Sequence, residues 1–374
     1  MKSNWQTKKL GEIFQIERGG SPRPIEKYIT KDSNGINWIK IGDTKNVTKY
    51  IFNTEQKIIK EGLKKTRLVK EGDFILSNSM SFGRPYLMKT TGAIHDGWLV
   101  LREKLPNINK DFFYYLLSSP LVFSQFDKLA AGSTVRNLNT KLVSSVEVPY
   151  PIISEQQRIV KILDEVFEKI EKAKENTEKN LQNSHILFET YLNSLFTNGG
   201  NNWKEKDFSE VCFLQRGYDL PTRLRNRGNF PLVSSNGITD RIDTWKVKAP
   251  GVVTGRSGTI GVVNFIEEDF WPLNTSLYVK IFNGNDERLV YYFLKQFKLT
   301  NYSTGAGVPT LNRNNVHHEK VKFPESNSEQ KSLVTVLDDL SKHTEKLKKY
   351  CLHKLLLLEE LKKSVLQKAF AGEL

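Results

Sequence analysis

A 43-residue stretch of this chain is present twice. Residues 154–196 match residues 328–370 at a constant shift of 174 with no gap, and 13 of the 43 positions are identical, among them Glu155/Glu329, Gln156/Gln330, Leu163/Leu337, Asp164/Asp338, Leu192/Leu366 and Phe196/Phe370. A repeat of this length constrains the architecture before any single element is assigned. Both copies predict long helices. Ile159, Leu163, Val166, Ile170, Ala173 and Thr177 step by four and three in the first, and Leu333, Leu337, Leu340, Thr344, Leu347 and Cys351 do so in the second. Each run then steps by four again, to Leu181 and Leu355, a stutter that unwinds a supercoil locally. Neither copy contains Pro or Gly, whereas Pro151 and Pro324 stand before them and Gly199 and Gly372 after them. At ~1.5 Å per residue each helix is ~65 Å long. Two helices with narrow apolar seams are expected to bury those seams against each other as an antiparallel coiled coil. A compact domain then bridges the end of one helix and the start of the next.

The blocks in front of the two helices echo each other as well. Trp203 and the residues after it match Trp5 and its followers, pairing Glu12 with Glu210, Arg18 with Arg216 and Gly19 with Gly217. Residues 252–258 take the place of 75–81, 274–281 match 96–102, and 305–312 match 132–139, with Leu138/Leu311 and Asn139/Asn312 identical. Strands are predicted at 35–41, 72–76 and 97–101 from alternating apolar residues, and a short helix at 111–117. The expected fold is therefore α+β: two mixed α/β domains at 1–151 and 199–327, each followed by a long helix, at 152–198 and 328–374, with an internal pseudo-twofold repeat.

A formal charge of +14 and a pI near 9.4 point to a polyanionic partner, nucleic acid first. Cys212 and Cys351 are the only cysteines, which excludes a disulfide framework and suits a reducing compartment. No apolar run approaches the ~20 residues of a membrane span, and the N-terminus does not read as a signal peptide. A soluble, cytoplasmic protein is expected.

Catalytic patterns are missing from the sequence. There is no Walker A loop, and Gly255, Gly258 and Gly261 have the wrong spacing for a dinucleotide fingerprint. The pair His317-His318 reads as an exposed loop pair, with no partner at metal spacing. The pair His95-Asp96 resembles half of a catalytic dyad without a nucleophile context, and the second block has Leu273-Asn274 there. Neither a glycine-rich S-adenosylmethionine site nor a metal site is evident. What remains is binding chemistry in Gly/Ser/Pro/Asn-rich turns. Arg18, Arg23, Arg84 and Arg136 lie in such turns of the first block, and Arg216, Arg223, Arg225, Arg227, Arg256 and Arg313 in those of the second. Arg reads guanine bidentately and Asn reads adenine, so Asn78, Asn137, Asn236 and Asn312 join the candidates. Tyr218 and Trp245 are available for stacking, and the Lys-rich stretch 57–70 for phosphates.

The helical openings SEQQRIVKILDEV and SEQKSLVTVLDDL, the endings ETYLNSLF and LKKSVLQKAFAGEL, and the domain openings WQTKKLGEI and WKEKDFSEV together resemble the specificity subunit of type I restriction-modification systems. The resemblance covers essentially the whole chain. It implies that each variable block is a target recognition domain reading one half of a split DNA site. The helices then space the domains as a coiled coil with Ile159, Leu163, Val166, Ile170, Leu181, Leu333, Leu337, Leu340, Leu347 and Leu355 in its seam. Modification subunits that methylate adenine dock there, and restriction/translocase subunits join the assembly. S-adenosylmethionine, ATP and Mg would belong to those partners, leaving this chain non-catalytic and free of cofactors. Two other readings stay open: a coiled-coil scaffold for protein assembly, and the recognition subunit of a related system whose partner fuses cleavage and methylation.

Overall fold

The computed structural model describes residues 5–78, 81–131, 137–305 and 307–374. The chain forms two compact units, Met1–Asn176 with Lys354–Leu374, and Thr177–His353. The long helices Ile153–Asn198 and Asn327–Ala371 each contribute one half to each unit.

In the first unit, Gln6–Lys9 pairs antiparallel with Glu147–Tyr150, so the start and end of the domain close on each other. A five-stranded sheet follows in the order Phe14–Arg18, Trp98–Glu103, Phe74–Ser77, Pro85–Met88, Tyr50–Ile51. A second sheet has the order Ile29–Thr30, Gln56–Ile58, Ile36–Ile39, Gly92–Ile94, Arg67–Val69. The second unit repeats the plan with fewer strands. Lys204–Asp207 pairs with Lys320–Phe323, and the main sheet runs Phe213–Arg216, Ser276–Ile281, Gly251–Gly255, Val263–Ile266.

The positions that are identical between the repeats lock helix to domain. Gln156 is fully buried; its Oε1 accepts the Asn109 N–H at 2.9 Å and its Nε2 donates to the Pro151 carbonyl at 2.9 Å. Gln330, equally buried, accepts the Asp286 N–H at 2.7 Å and donates to the Pro324 carbonyl at 2.8 Å. Asn109 and Asp286 cap the short helices Lys110–Leu117 and Glu287–Gln296, so each glutamine ties a long helix to the start of a short one. About two turns further on, Asp164 accepts the Tyr115 hydroxyl and Asp338 accepts the Tyr292 hydroxyl, both at 2.5 Å. Glu12 and Glu210 close the same capping box, on the N–H of Lys9 at 2.8 Å and of Asp207 at 2.7 Å.

The helix pair is antiparallel within each unit, but the two heptad runs do not face each other as the sequence led us to expect. In the first unit Arg158 donates to the Leu374 carbonyl, Glu171 pairs with Lys362 and Lys174 with Glu359. Ile159, Leu163 and Ile170 are buried with Leu366, Ala369 and Phe370, and Val166 packs at the edge of that core. In the second unit Leu337 is buried with Phe188, Leu192 and Phe196, and Leu333 and Leu340 pack against it. Antiparallel pairing sets the start of one helix against the end of the other, so each run packs on its own domain and on the opposite helix's tail. Leu181 and Leu355 are half-buried, and Leu347 is 43% exposed and lies outside any seam.

His317 is also corrected. It is 5% exposed, with its ring 4.4 Å from that of Phe213 and its Nε2 accepting the Leu214 N–H at 3.2 Å; only His318 is exposed. Burial, then the charges of Arg313 and His318, hold the His317 pKa below its ordinary 6.5. With the folded pKa depressed, the unfolded chain binds the extra proton first. Stability of the second unit is then complete above about pH 6.5 and falls as pH drops through that value. Hydrogen exchange at second-unit amides is expected to show faster opening at pH 5.5 than at pH 7.5 after correction for intrinsic rates, and His317→Gln to flatten the difference.

Candidate nucleic-acid interface

The strand Phe14–Arg18 and the strand Phe213–Arg216 end at matching glycines. Gly19 donates its N–H to the Trp98 carbonyl at 2.9 Å, and Gly217 to that of Ser276 at 3.1 Å. A Cβ on Gly19 would lie 2.2 Å from the His95 carbonyl oxygen, and one on Gly217 would lie 2.2 Å from that of Leu273. Only glycine fits, because backbone approaches backbone there. The loops that follow stand on this fixed frame.

A second shared point faces it. The Asn78 N–H donates to the Gly97 carbonyl, its own carbonyl accepts the Leu138 N–H, and its side-chain Nδ2 donates to the Asp96 carbonyl at 2.8 Å. Arg256 makes the same three contacts: N–H to the Thr275 carbonyl, carbonyl from the Leu311 N–H, and Nη1 to the Asn274 carbonyl at 3.3 Å. The structural partner of Asn78 is thus Arg256, one residue beyond the pairing read from the sequence. Asn78 stands as far before Asp96 as Arg256 does before Asn274, so the letter match between these two strands was set one residue short.

On this common frame the side chains diverge. In the first unit Arg18 Nε donates to the Asp96 carbonyl, and the Asp96 carboxylate accepts from Ser21 at 2.8 Å and lies 3.0 Å from His95 Nε2. In the second, Asp219 receives Arg216 at 3.1 Å and the Asn274 amide. Tyr218 bonds the Tyr278 hydroxyl at 3.0 Å, and Lys246 Nζ lies 5.2 Å from the Trp271 ring centroid. Arg313 Nη1 donates to Gln215 at 2.5 Å.

The sequence candidates divide accordingly. Arg18, Arg23, Arg216, Tyr218, Arg223 and Asn236 are exposed, and Arg256 and Arg313 are partly so. Arg84 is exposed but turned to the Val47 carbonyl, with its guanidinium 5.4 Å from the Tyr86 ring centroid. Three candidates are engaged by backbone groups. Asn78 is 1% exposed and its amide is consumed as above. Arg225 holds the Leu220 carbonyl through Nε and Nη2. The Asn312 carboxamide accepts the Asn314 N–H at the start of a short helix. Asn137 Oδ1 is buried without a partner among the described residues, and Arg136 lies outside them. Asp96 and Asp219, which organise the side chains around these frames, were not among the sequence candidates, because those were sought among cations and amides. Among the described residues no group of His, Cys, Asp and Glu could hold a metal ion, and no helix is long and apolar enough to cross a membrane.

Residues 2–180 and 200–355 match the family model described as the type I restriction modification DNA specificity domain. Among curated proteins, the MjaIX type I restriction enzyme specificity subunit of Methanocaldococcus jannaschii is 25% identical over 238 residues, 59% of this chain and 54% of that protein. The MjaVIII specificity subunit of the same organism is 26% identical over 188 residues, 47% of this chain and 43% of that protein. The chain thus spans about half the length of the curated relatives it matches. Two solved structures share the fold. One chain, from a study of assembly and conformational transition of the type I R-M system, aligns over 100% of this chain and 99% of its own length, with a TM-score of 0.82 and 18% identity. The other, the HsdS subunit from Thermoanaerobacter tengcongensis, aligns over 100% and 98%, with a TM-score of 0.68 and 18% identity.

Proposed function

Since the chain belongs to the type I restriction-modification DNA specificity family, we propose that it reads a bipartite, asymmetric DNA target, one half per unit, and scaffolds the subunits that modify and cut. The observation that carries this reading is the shared frame. Gly19 and Gly217, and Asn78 and Arg256, hold the same backbone positions, while the side chains mounted around them differ. One scaffold with two sets of polar side chains suits two short and different base sequences. Exposed arginines provide donors for guanine edges and phosphates.

The long helices support the scaffolding role. Leu356, Leu357 and Leu361 are exposed in the first unit, and Ile186, Leu187 and Leu352 in the second. Apolar side chains clustered on a solvent-facing helix suit protein partners, here the modification subunits and the restriction/translocase subunits. S-adenosylmethionine, ATP and Mg then act on those partners, in the cytoplasm, and this chain performs no catalysis of its own.

The test is DNA binding as a function of salt. The chain with its modification partner is expected to lose duplex affinity by on the order of 10³-fold between 50 and 200 mM salt if six phosphates are neutralised. A salt-independent interaction with DNA, or none, would contradict the reading and favour the pure protein scaffold.

A further inference from the structure

A cleft of about 820 Å³ opens in the first unit between the segment Ser21–Glu26, the strand Ile36–Ile39 and the pair His95-Asp96. Trp38, 1% exposed, forms its floor and meets the His95 ring edge-on at 6.0 Å. Arg23, Lys40 and Gln56 line it, and neither cation has an ion-pair partner among the described residues.

The polar atoms on the inner wall are oriented in sequence. His95 Nδ1 accepts the Gly97 N–H at 2.9 Å, so that nitrogen carries no proton. The proton therefore sits on Nε2, which donates to Asp96 Oδ1 at 3.0 Å. The Ser21 hydroxyl donates to the same oxygen at 2.8 Å. Both His95 nitrogens and Asp96 Oδ1 are thereby committed. Asp96 Oδ2 has no partner from another residue among those described, and the side chain is 35% exposed. Burial alone would raise the Asp96 pKa, yet Ser21, His95 and Arg18 together hold it below the usual carboxylate value. A fixed acceptor thus stands beside unpaired cations. That combination suits a ligand that is polyanionic overall and offers an N–H donor locally.

Resting on the function proposed above, the geometry points to Asp96 as a specificity-determining residue of the first unit, its Oδ2 accepting a hydrogen bond from an exocyclic amino group on a base edge, cytosine N4 or adenine N6. Acidic side chains accept from cytosine N4 in the major groove, and adenine N6 presents the same donor. Arg23 and Lys40 then contact neighbouring phosphates. Ser21 and His95 are positioning residues, because they act only by orienting the carboxylate. The second unit presents Asn274 at this place, with its amide committed to Asp219, so its half-site is read by different atoms.

The experiment is selection of randomised duplexes by the full chain assembled with its modification subunits, for wild type, Asp96→Asn and Ser21→Ala. Asp96→Asn is close to isosteric and replaces the two-oxygen acceptor with one acceptor and one donor. It is expected to relax a single position of one half-site by roughly 10- to 100-fold, with every other letter unchanged. The letter that relaxes, C or A, identifies the amino group. Ser21→Ala is expected to relax the same position by a smaller factor. Unchanged preferences with Asp96→Asn, uniform weakening across all sequences, or a Ser21→Ala effect at a different position would each overturn the assignment. Retained selection of the other half-site reports that the variants are folded. If wild type selects no split motif, the proposed function itself fails; if wild type selects one and Asp96→Asn leaves it intact, only this assignment fails.

Discussion

Phe370→Ala is expected to destabilise the first unit by about 3–5 kcal/mol while leaving the second unit nearly unchanged, and Phe196→Ala is expected to do the reverse. Phe370 is 1% exposed, and its ring meets that of Phe112 edge-on at 5.4 Å, in a core shared with Ile159 and Leu163. The last helical turn of the chain therefore supports a domain whose sheets come from its N-terminal third. Phe196 is the repeat equivalent. It is 5% exposed, 5.6 Å from the Phe293 ring and 5.7 Å from that of Trp203, in the second core with Leu337. Deleting a buried aromatic removes transfer energy and leaves a cavity, and both costs fall where the ring packs, not where it lies in sequence. Urea titration followed by hydrogen exchange at amides of each unit separates the two. A Phe370→Ala effect confined to the second unit would overturn this account of the fold.

Asn78 and Arg256 share one frame position, and opposite consequences are expected for their loss. Asn78→Ala removes a buried amide that donates to the Asp96 carbonyl. It is expected to cost about 1–3 kcal/mol of first-unit stability, and to disturb base selection only through that loss. Arg256 is half-buried and holds the Asn274 carbonyl by one long contact of 3.3 Å. Its remaining donors are open. Arg256→Ala is expected to cost about 1–3 kcal/mol of discrimination at one position of the second half-site, with little loss of stability. If Arg256 instead contacts phosphate, binding weakens alike for all sequences and the salt slope falls by about one. Protein melts beside binding selections distinguish these outcomes.

The duplicated plan was legible because the repeated letters carry fixed geometric duties. Gln156 and Gln330 can be replaced by no residue that both accepts an N–H and donates to a carbonyl at that reach, except another glutamine. Glu12 and Glu210 close identical caps, and Gly19 and Gly217 tolerate no Cβ. The site was less legible. An Asn in a polar turn reads the same in sequence whether its amide is free, as for a base reader, or consumed, as for Asn78. Arg225 was likewise chosen for its charge, although a backbone carbonyl five residues away occupies it. Leu347 continued the heptad spacing but is exposed, because periodicity gives the angle around a helix and not what lies opposite. His317 looked like half of an exposed pair, since one residue of shift decides which ring enters the core beside Phe213. Asp96 was read only as half of a dyad with His95, because its hydrogen bond from Ser21 joins residues far apart in sequence.

The central claim is that two units on one frame read two different halves of one target. Mapping methylated bases in DNA from cells that carry this chain and its modification partner tests it most directly, with wild type compared to Arg256→Ala. The account predicts a split, asymmetric motif with an unread gap, and relaxation of a letter in one block only when Arg256 is replaced. A continuous or perfectly palindromic motif, or letters changed in both blocks by that one substitution, would contradict it.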